Sequence, residues 1–210
     1  MSAPHLPKNL PLQLPLTPEA IRISLRHQPL PDVDGDRHVA VLPPTAVIRH
    51  AAVLVLLVNR DHGVQILLTQ RSGHLRDHAG QVSFPGGRVE PTDPDRETTA
   101  LREMEEEVGV PARHVTVLGR LPSYEIPSGF RVTPVVGWLE PPFDLTPNPS
   151  EVANVFEAPL LHFLNPAHYQ RRDYHFRGRH RHYLAIPYAG RYIWGATAGM
   201  LYSMCRVLNA

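Results

Sequence analysis

Eight consecutive apolar residues, AAVLVLLV at 51–58, set the strongest constraint on the fold. The run is rich in branched side chains and too short to cross a bilayer, so it reads as a strand buried on both faces. Such a strand needs a covering layer on each side of its sheet. Asp61-His62-Gly63 supplies a turn, and VQILLTQ at 64–70 reads as the hairpin partner.

The rest of the chain supplies those layers. Residues 70–86 read as a Gly- and Arg-containing loop, followed by a helix from Pro94 to Val108 that stops at Gly109. Strands are expected at 114–120, 131–139 and 152–157, with a Pro-rich loop at 141–149 and a hairpin formed by 182–188 and 191–194. The spacing of Ala198, Leu201, Met204 and Leu208 predicts a C-terminal helix over 195–208. Residues 1–45 carry repeated prolines and read as an extended arm holding one short helix, started by Thr17-Pro18-Glu19. The expected architecture is α/β, with a mixed sheet between helices. The arm at 1–45 precedes one domain at 46–208.

Composition narrows the function classes. Twenty-one Lys and Arg against 20 Asp and Glu leave a formal charge of +1, which gives no strong overall field for nucleic acid or an anionic membrane. The lone Cys205 sits in an apolar run and reads as a buried thiol, and no basic-then-apolar leader pattern opens the chain. A cytoplasmic enzyme is the expectation. The 13 histidines are scattered without zinc-ligand spacing, and the alternating pair His180 and His182 is weak as a site. Neither a Rossmann fingerprint nor a nucleophile elbow occurs.

The segment GGRVEPTDPDRETTALREMEEEVGV at 86–110 carries the chemistry. Asp93 reads as the helix cap and Pro94 as part of its first turn. At about 100° per residue, Leu101, Met104 and Val108 gather on one side, while Glu103, Glu106 and Glu107 gather on the other. Glu105 falls outside the acidic group and reads as a solvent or helix-support residue. Three close carboxylates repel one another, and a divalent cation such as Mg2+ or Mn2+ reverses that cost. A merely solvated helix would also be acidic, but it would not need Gly86 and Gly87 immediately before it to let backbone approach a ligand. Arg102 is placed to pair with Glu106 or to hold Glu103.

These residues resemble the box of the Nudix hydrolases, GX5EX7REUXEEXGU with U apolar. Arg102 through Val110 fits its second half at every position. The first half departs: Gly87 lies one residue too far from Arg102, and Pro94 stands where the first glutamate belongs. The coenzyme A pyrophosphatase branch places an acidic residue one position earlier, here Asp93, and carries LLTxRSx3Rx3Gx3FPGG upstream. LLTQRSGHLRDHAGQVSFPGG at 67–87 is similar to that motif throughout. The resemblance implies an α/β/α sandwich that hydrolyses coenzyme A to 3′,5′-ADP and 4′-phosphopantetheine. It also implies that Glu103, Glu106, Glu107 and the backbone at Gly87 hold Mg2+ or Mn2+, with Arg102 and Asp93 in support.

Other roles are left open by the sequence. The general base is Glu103 or Glu151, whereas Glu157 reads as structural. Arg71 and Arg76 are candidates for substrate phosphate contacts or for stapling their own loop; Ser72 and Gln81 are candidates for substrate contacts or for satisfying backbone. Alternatives to coenzyme A are ADP-ribose or a dinucleotide, and a ligand-binding module without turnover is the reading from another class. The arm or the C-terminal helix could form a homodimer interface.

Overall fold

The computed structural model describes residues 16–27, 48–75, 77–126, 129–176 and 179–210, with backbone alone at 176 and 179–181. In chain order the elements are α1 (Pro18–Arg26), β1 (Arg49–Val58), β2 (Gln65–Arg71), β3 (Val82–Ser83), β4 (Gly86–Arg88), α2 (Arg96–Val108), β5 (Val115–Arg120) and β6 (Tyr124–Ile126). They continue with β7 (Phe130–Leu139), β8 (Val152–Pro159), α3 (Leu160–Phe163), β9 (Gln170–Phe176), β10 (Arg179–Tyr188), β11 (Arg191–Trp194) and α4 (Gly195–Leu208).

The apolar run lies at the centre of the main sheet, as its composition demands. Strand β1 pairs in parallel with β7 from Arg49↔Phe130 to Val58↔Leu139. Its other edge is antiparallel to β2 through Leu56↔Leu67 and to β4 through Ala52↔Gly87. Strand β8 runs antiparallel to β2, and β5 and β6 run antiparallel to β7, so the sheet is mixed. Alternate residues of β1 serve different layers. Ala52, Leu54, Leu56 and Val58 pack with Met104 and Val108 of α2, whereas Ala51, Val55 and Leu57 join a cluster containing Ile21, Leu25, Leu201 and Met204. Helices therefore cover both faces, which is the α/β arrangement the buried strand predicted.

Helix α1 begins as expected, with the Thr17 hydroxyl accepting from the Ala20 amide at 3.3 Å and Pro18 in the first turn. Ile21 and Leu25 are buried against the domain. Cys205 is also buried; its thiol donates to the Leu164 carbonyl at 3.3 Å, and burial pushes its pKa up to about 12. Among the described residues no helix is long and apolar enough to cross a membrane.

Three details depart from expectation. The segment 70–86 is not all loop: β2 runs to Arg71, and Val82–Ser83 and Gly86–Arg88 form short strands. A second sheet of order β11-β10-β9 packs on the α4 side, and β9 has little apolar character to announce it. Helix α2 starts at Arg96, not Pro94. Its cap is Asp95, in extended conformation, whose carboxylate accepts from the Thr98 amide at 2.8 Å. Asp93 is thereby released for another role.

Candidate active site

The glycine pair sits where β4 meets the carboxylate helix. A Cβ on Gly86 would strike the Ala52 carbonyl, and one on Gly87 would collide with the Glu103 carboxylate. Two glycines are therefore required here, because the backbone of β4 approaches both β1 and α2 within side-chain distance. Downstream, the positive φ of 78° at Gly109 ends α2, and its amide donates to the Glu105 carbonyl.

The acidic side chains crowd the C-terminal half of α2, whose last turn has no basic residue. This is the end where the helix dipole disfavours negative charge, so helix stability does not account for them. They also occupy unequal environments. Glu107 is 3% exposed, Glu103 is 15% exposed and Glu106 is 54% exposed. Glu105 is exposed, and its carboxylate accepts from the Ala112 amide at 2.9 Å, supporting the helix exit.

Arg102 ties the upper part of this face together. Its Nε and Nη2 donate to the two oxygens of Asp93 at 3.2 and 3.1 Å, and Nη2 also donates to the Arg88 carbonyl. Nη1 lies 3.0 Å from Glu103 Oε1 and 3.1 Å from Glu106 Oε2. Asp93 is held far below the usual carboxylate pKa by the Arg102 fork, the Glu90 amide and the Thr99 hydroxyl. It thus anchors the arginine that contacts Glu103 and Glu106. Glu103 itself is raised, chiefly by burial, against the attraction of Arg102.

Glu107 faces a different cation. Its Oε1 is 3.8 Å from Arg71 Nη1, and Oε2 is buried without a hydrogen-bond partner. Burial raises its pKa to about 8; Arg71 and the Gly86 amide oppose the shift, while Glu151 and Glu103 add to it. Arg71 Nε is likewise buried and unpartnered. A buried carboxylate oxygen without a partner costs free energy, and such oxygens are paired in most folded proteins.

The Pro-rich loop brings Glu151 to this place through backbone chemistry. The Thr146 and Asn148 amides donate to the Val108 and Glu107 carbonyls at 2.9 and 3.0 Å, closing the open end of α2. The Glu151 carbonyl accepts from the Ser72 amide at 2.8 Å, and its Oε1 accepts from Asn148 Nδ2 at 3.3 Å. The negative charge of Glu151 acts on both Glu103 and Glu107. Sequence reasoning missed Asn148, although Asn-Pro-Ser is a turn signal: Asn148 Oδ1 accepts from the Ser150 amide and hydroxyl.

Of the remaining candidates, Ser72 is buried and its hydroxyl donates to the Pro149 carbonyl at 3.1 Å. Gln81 hydrogen-bonds His78 and its carbonyl accepts from the Arg71 amide. Glu157 forms a two-bonded pair with Arg60. Arg76 and the side chain of His180 lie outside the described residues.

Among the described residues, no group of three or more His, Cys, Asp or Glu side chains is arranged to hold a metal. The geometry explains this, since Arg102 engages Glu103 and Glu106 while Arg71 faces Glu107. The residues nevertheless suit a hard dication: every donor is oxygen, Glu107 Oε2 has no partner, and Gly87 leaves space beside Glu103 that a Cβ would fill.

A family model described as NUDIX domain matches residues 48–173. A Yersinia enterocolitica protein described as uncharacterized Nudix hydrolase NudL is 46% identical over 161 residues, spanning 76% of this chain and 82% of its own. The Yersinia pestis protein of that description is 45% identical over 158 residues, spanning 75% and 78%. Among solved structures, a MutT/nudix family protein from Enterococcus faecalis aligns with 92% of this chain and 74% of its own, at 18% identity and a TM-score of 0.47.

Proposed function

This chain belongs to the Nudix hydrolases, and on that footing we propose that it hydrolyses the diphosphate of coenzyme A or an acyl-coenzyme A. Pyrophosphohydrolase chemistry that uses a divalent metal is what family membership supports. What supports the finer reading is the resemblance of LLTQRSGHLRDHAGQVSFPGG at 67–87 to the coenzyme A pyrophosphatase motif, whose Arg71 faces Glu107 and whose Gly87 abuts Glu103. The single observation that carries the catalytic reading is the buried, unpartnered Glu107 Oε2 beside Arg71.

Glu103, Glu106, Glu107 and the Gly87 carbonyl would hold Mg2+ or Mn2+, which supplies neutralisation of the diphosphate oxygens and acidification of water. Around that group the protein's own residues orient and move charge. Arg71 contacts a non-bridging phosphate oxygen, and its planar fork suits that task better than a point charge. Asp93 fixes Arg102, and Arg102 fixes the Glu103 rotamer. Glu151 takes the proton of the attacking water at Oε2, its Oε1 being held by Asn148. The water oxygen bonds to one phosphorus, the bridging P–O bond breaks, and the leaving phosphate departs on the other half. With coenzyme A the products are 3′,5′-ADP and 4′-phosphopantetheine. The cytoplasm is the setting we assign.

ADP-ribose or a dinucleotide is the second reading. It uses the same carboxylates and makes fewer demands, because the relatives above are described only at the level of the superfamily. Initial rates with free coenzyme A, acyl-coenzyme A, ADP-ribose and NADH, each with Mg2+ and with Mn2+, separate the readings. Fastest turnover of a coenzyme A species supports the first; strong ADP-ribose turnover without coenzyme A cleavage replaces it. Tight binding with no turnover of any of the four would leave a binding module instead.

A further inference from the structure

Strand β8 pairs with β2 in regular antiparallel register from Gln65↔Pro159 to Gln70↔Asn154, then slips, so that Arg71 faces Val152 and Ala153 is the extra residue. A bulge of this kind bends its strand and re-aims the side chains beyond it. Past the slip the two segments stay together by other means. The Ser72 amide donates to the Glu151 carbonyl at 2.8 Å, the Ser72 hydroxyl to the Pro149 carbonyl at 3.1 Å, and His74 Nε2 to the Ser150 carbonyl at 3.0 Å. Three consecutive carbonyls, those of 149, 150 and 151, are thus held by Ser72 and His74.

The same tetrapeptide is fixed from its other side by Asn148. The Asn148 amide donates to the Glu107 carbonyl, Nδ2 donates to Glu151 Oε1, and Oδ1 accepts from the Ser150 amide and hydroxyl. Glu151 is therefore tied both to the C-terminal end of α2 and to the end of β2. Ser72 is 3% exposed and its single O–H is committed to Pro149, so it has no proton to offer a substrate oxygen. His74 is exposed, yet its ring reaches a carbonyl 76 residues away along the chain. Arg71, one residue before Ser72, faces Glu107. One short segment thus carries the phosphate contact and the supports of Glu151.

Resting on the reading of Glu151 as the general base, we propose that Ser72 and His74 are positioning residues for it: they hold the Glu151 carboxylate beside Glu103 and Glu107, and neither touches the substrate. Their effect falls on the step in which water loses its proton. It is the same whatever the two halves of the diphosphate carry.

Initial rates with coenzyme A and with ADP-ribose, in Mg2+, test this in Ser72→Ala, His74→Ala and His74→Gln, each made in the parent and in Glu151→Gln. In the parent background Ser72→Ala lowers kcat about 10-fold and His74→Ala about fivefold, with KM within about twofold and the same factors for both substrates. His74→Gln, which keeps a donor, stays within about twofold of the parent. In Glu151→Gln, already slowed about 10²-fold or more, the same changes have no further effect, because the group they position is gone. A structural role would lower the rate by equal factors in both backgrounds. His74 is exposed, so its variants decide the matter even if Ser72→Ala disturbs folding. Additive losses, or a rise in KM confined to one substrate, overturn the positioning role and leave Glu151 as the base. A parental rate in Glu151→Gln removes the base and its supports together. Turnover of ADP-ribose without coenzyme A replaces the substrate reading, and the cycle on ADP-ribose still decides the positioning role; hydrolysis of neither removes both.

Discussion

One nitrogen of Arg102, Nη1, bridges Glu103 Oε1 at 3.0 Å and Glu106 Oε2 at 3.1 Å, while the remaining nitrogens of the fork grip Asp93. Asp93 thus limits how much of the arginine's charge the two glutamates receive. Asp93→Asn removes that restraint and lets Arg102 compete more strongly for the carboxylates. Mn2+ affinity should fall about 10-fold or more, measured by titrating free Mn2+ with electron paramagnetic resonance, and excess metal should restore part of the rate. Unchanged affinity would mean that Asp93 serves only the loop.

Gly87 offers a steric test of the same corner. Gly87→Ala places a methyl group against the Glu103 carboxylate, which must rotate away. We expect hydrolysis to fall at least about 10-fold with the far-ultraviolet circular dichroism unchanged, since β4 is short and lies beside the helix. Parental rates in this variant would show that the approach of Gly87 to Glu103 has no catalytic purpose.

The adjacent glutamates should respond differently to a neutral isostere. Glu107→Gln and Glu106→Gln each remove a negative oxygen from the proposed ligand face, and turnover should drop by about 10²-fold or more. Glu105→Gln keeps an oxygen able to accept from the Ala112 amide, so its rate should stay within about threefold of the parent. Equal losses at Glu105 and Glu107 would reassign the catalytic face.

Burial of Glu107 also predicts how the metal-free protein responds to pH. Its pKa is raised to about 8 from an ordinary 4.5, so between these values the folded chain holds a proton that the unfolded chain has released. Stability in chelator should therefore be highest at the acid end of that window and decline as pH rises to about 8, by a total on the order of 4 kcal/mol. Glu103, also raised, adds in the same direction, while Asp93 acts below this window because its pKa is lowered. Urea unfolding at pH 5, 6, 7 and 8 reads the slope, and Glu107→Gln should flatten it. A stability that climbs over this range, or a slope undiminished by the substitution, contradicts the assignment.

The sequence carried the parts of this structure that local physics determines. AAVLVLLV reads as a central strand because its unbroken apolar run has surface to bury on both faces, and the periodicity of α2 put Met104 and Val108 on its buried side. The cap was misplaced by two residues, because Asp93 and Asp95 both flank Pro94 and only the tertiary contact with Arg102 distinguishes them. Strand β9 was not legible because QRRDYHF lacks an apolar stripe and is defined by its pairing with β10. The separation of Glu106 from Glu107 in burial depends on where β2 and the Asn148 loop pass, which no helical wheel contains.

Product analysis with coenzyme A, in the presence of Mg2+ or Mn2+ and again in chelator, decides whether the chain is a metal-dependent coenzyme A pyrophosphatase. Equal amounts of 3′,5′-ADP and 4′-phosphopantetheine form with metal, and neither product forms without it. The same products in chelator, or intact coenzyme A with both metals under conditions where the protein is folded, would contradict that function.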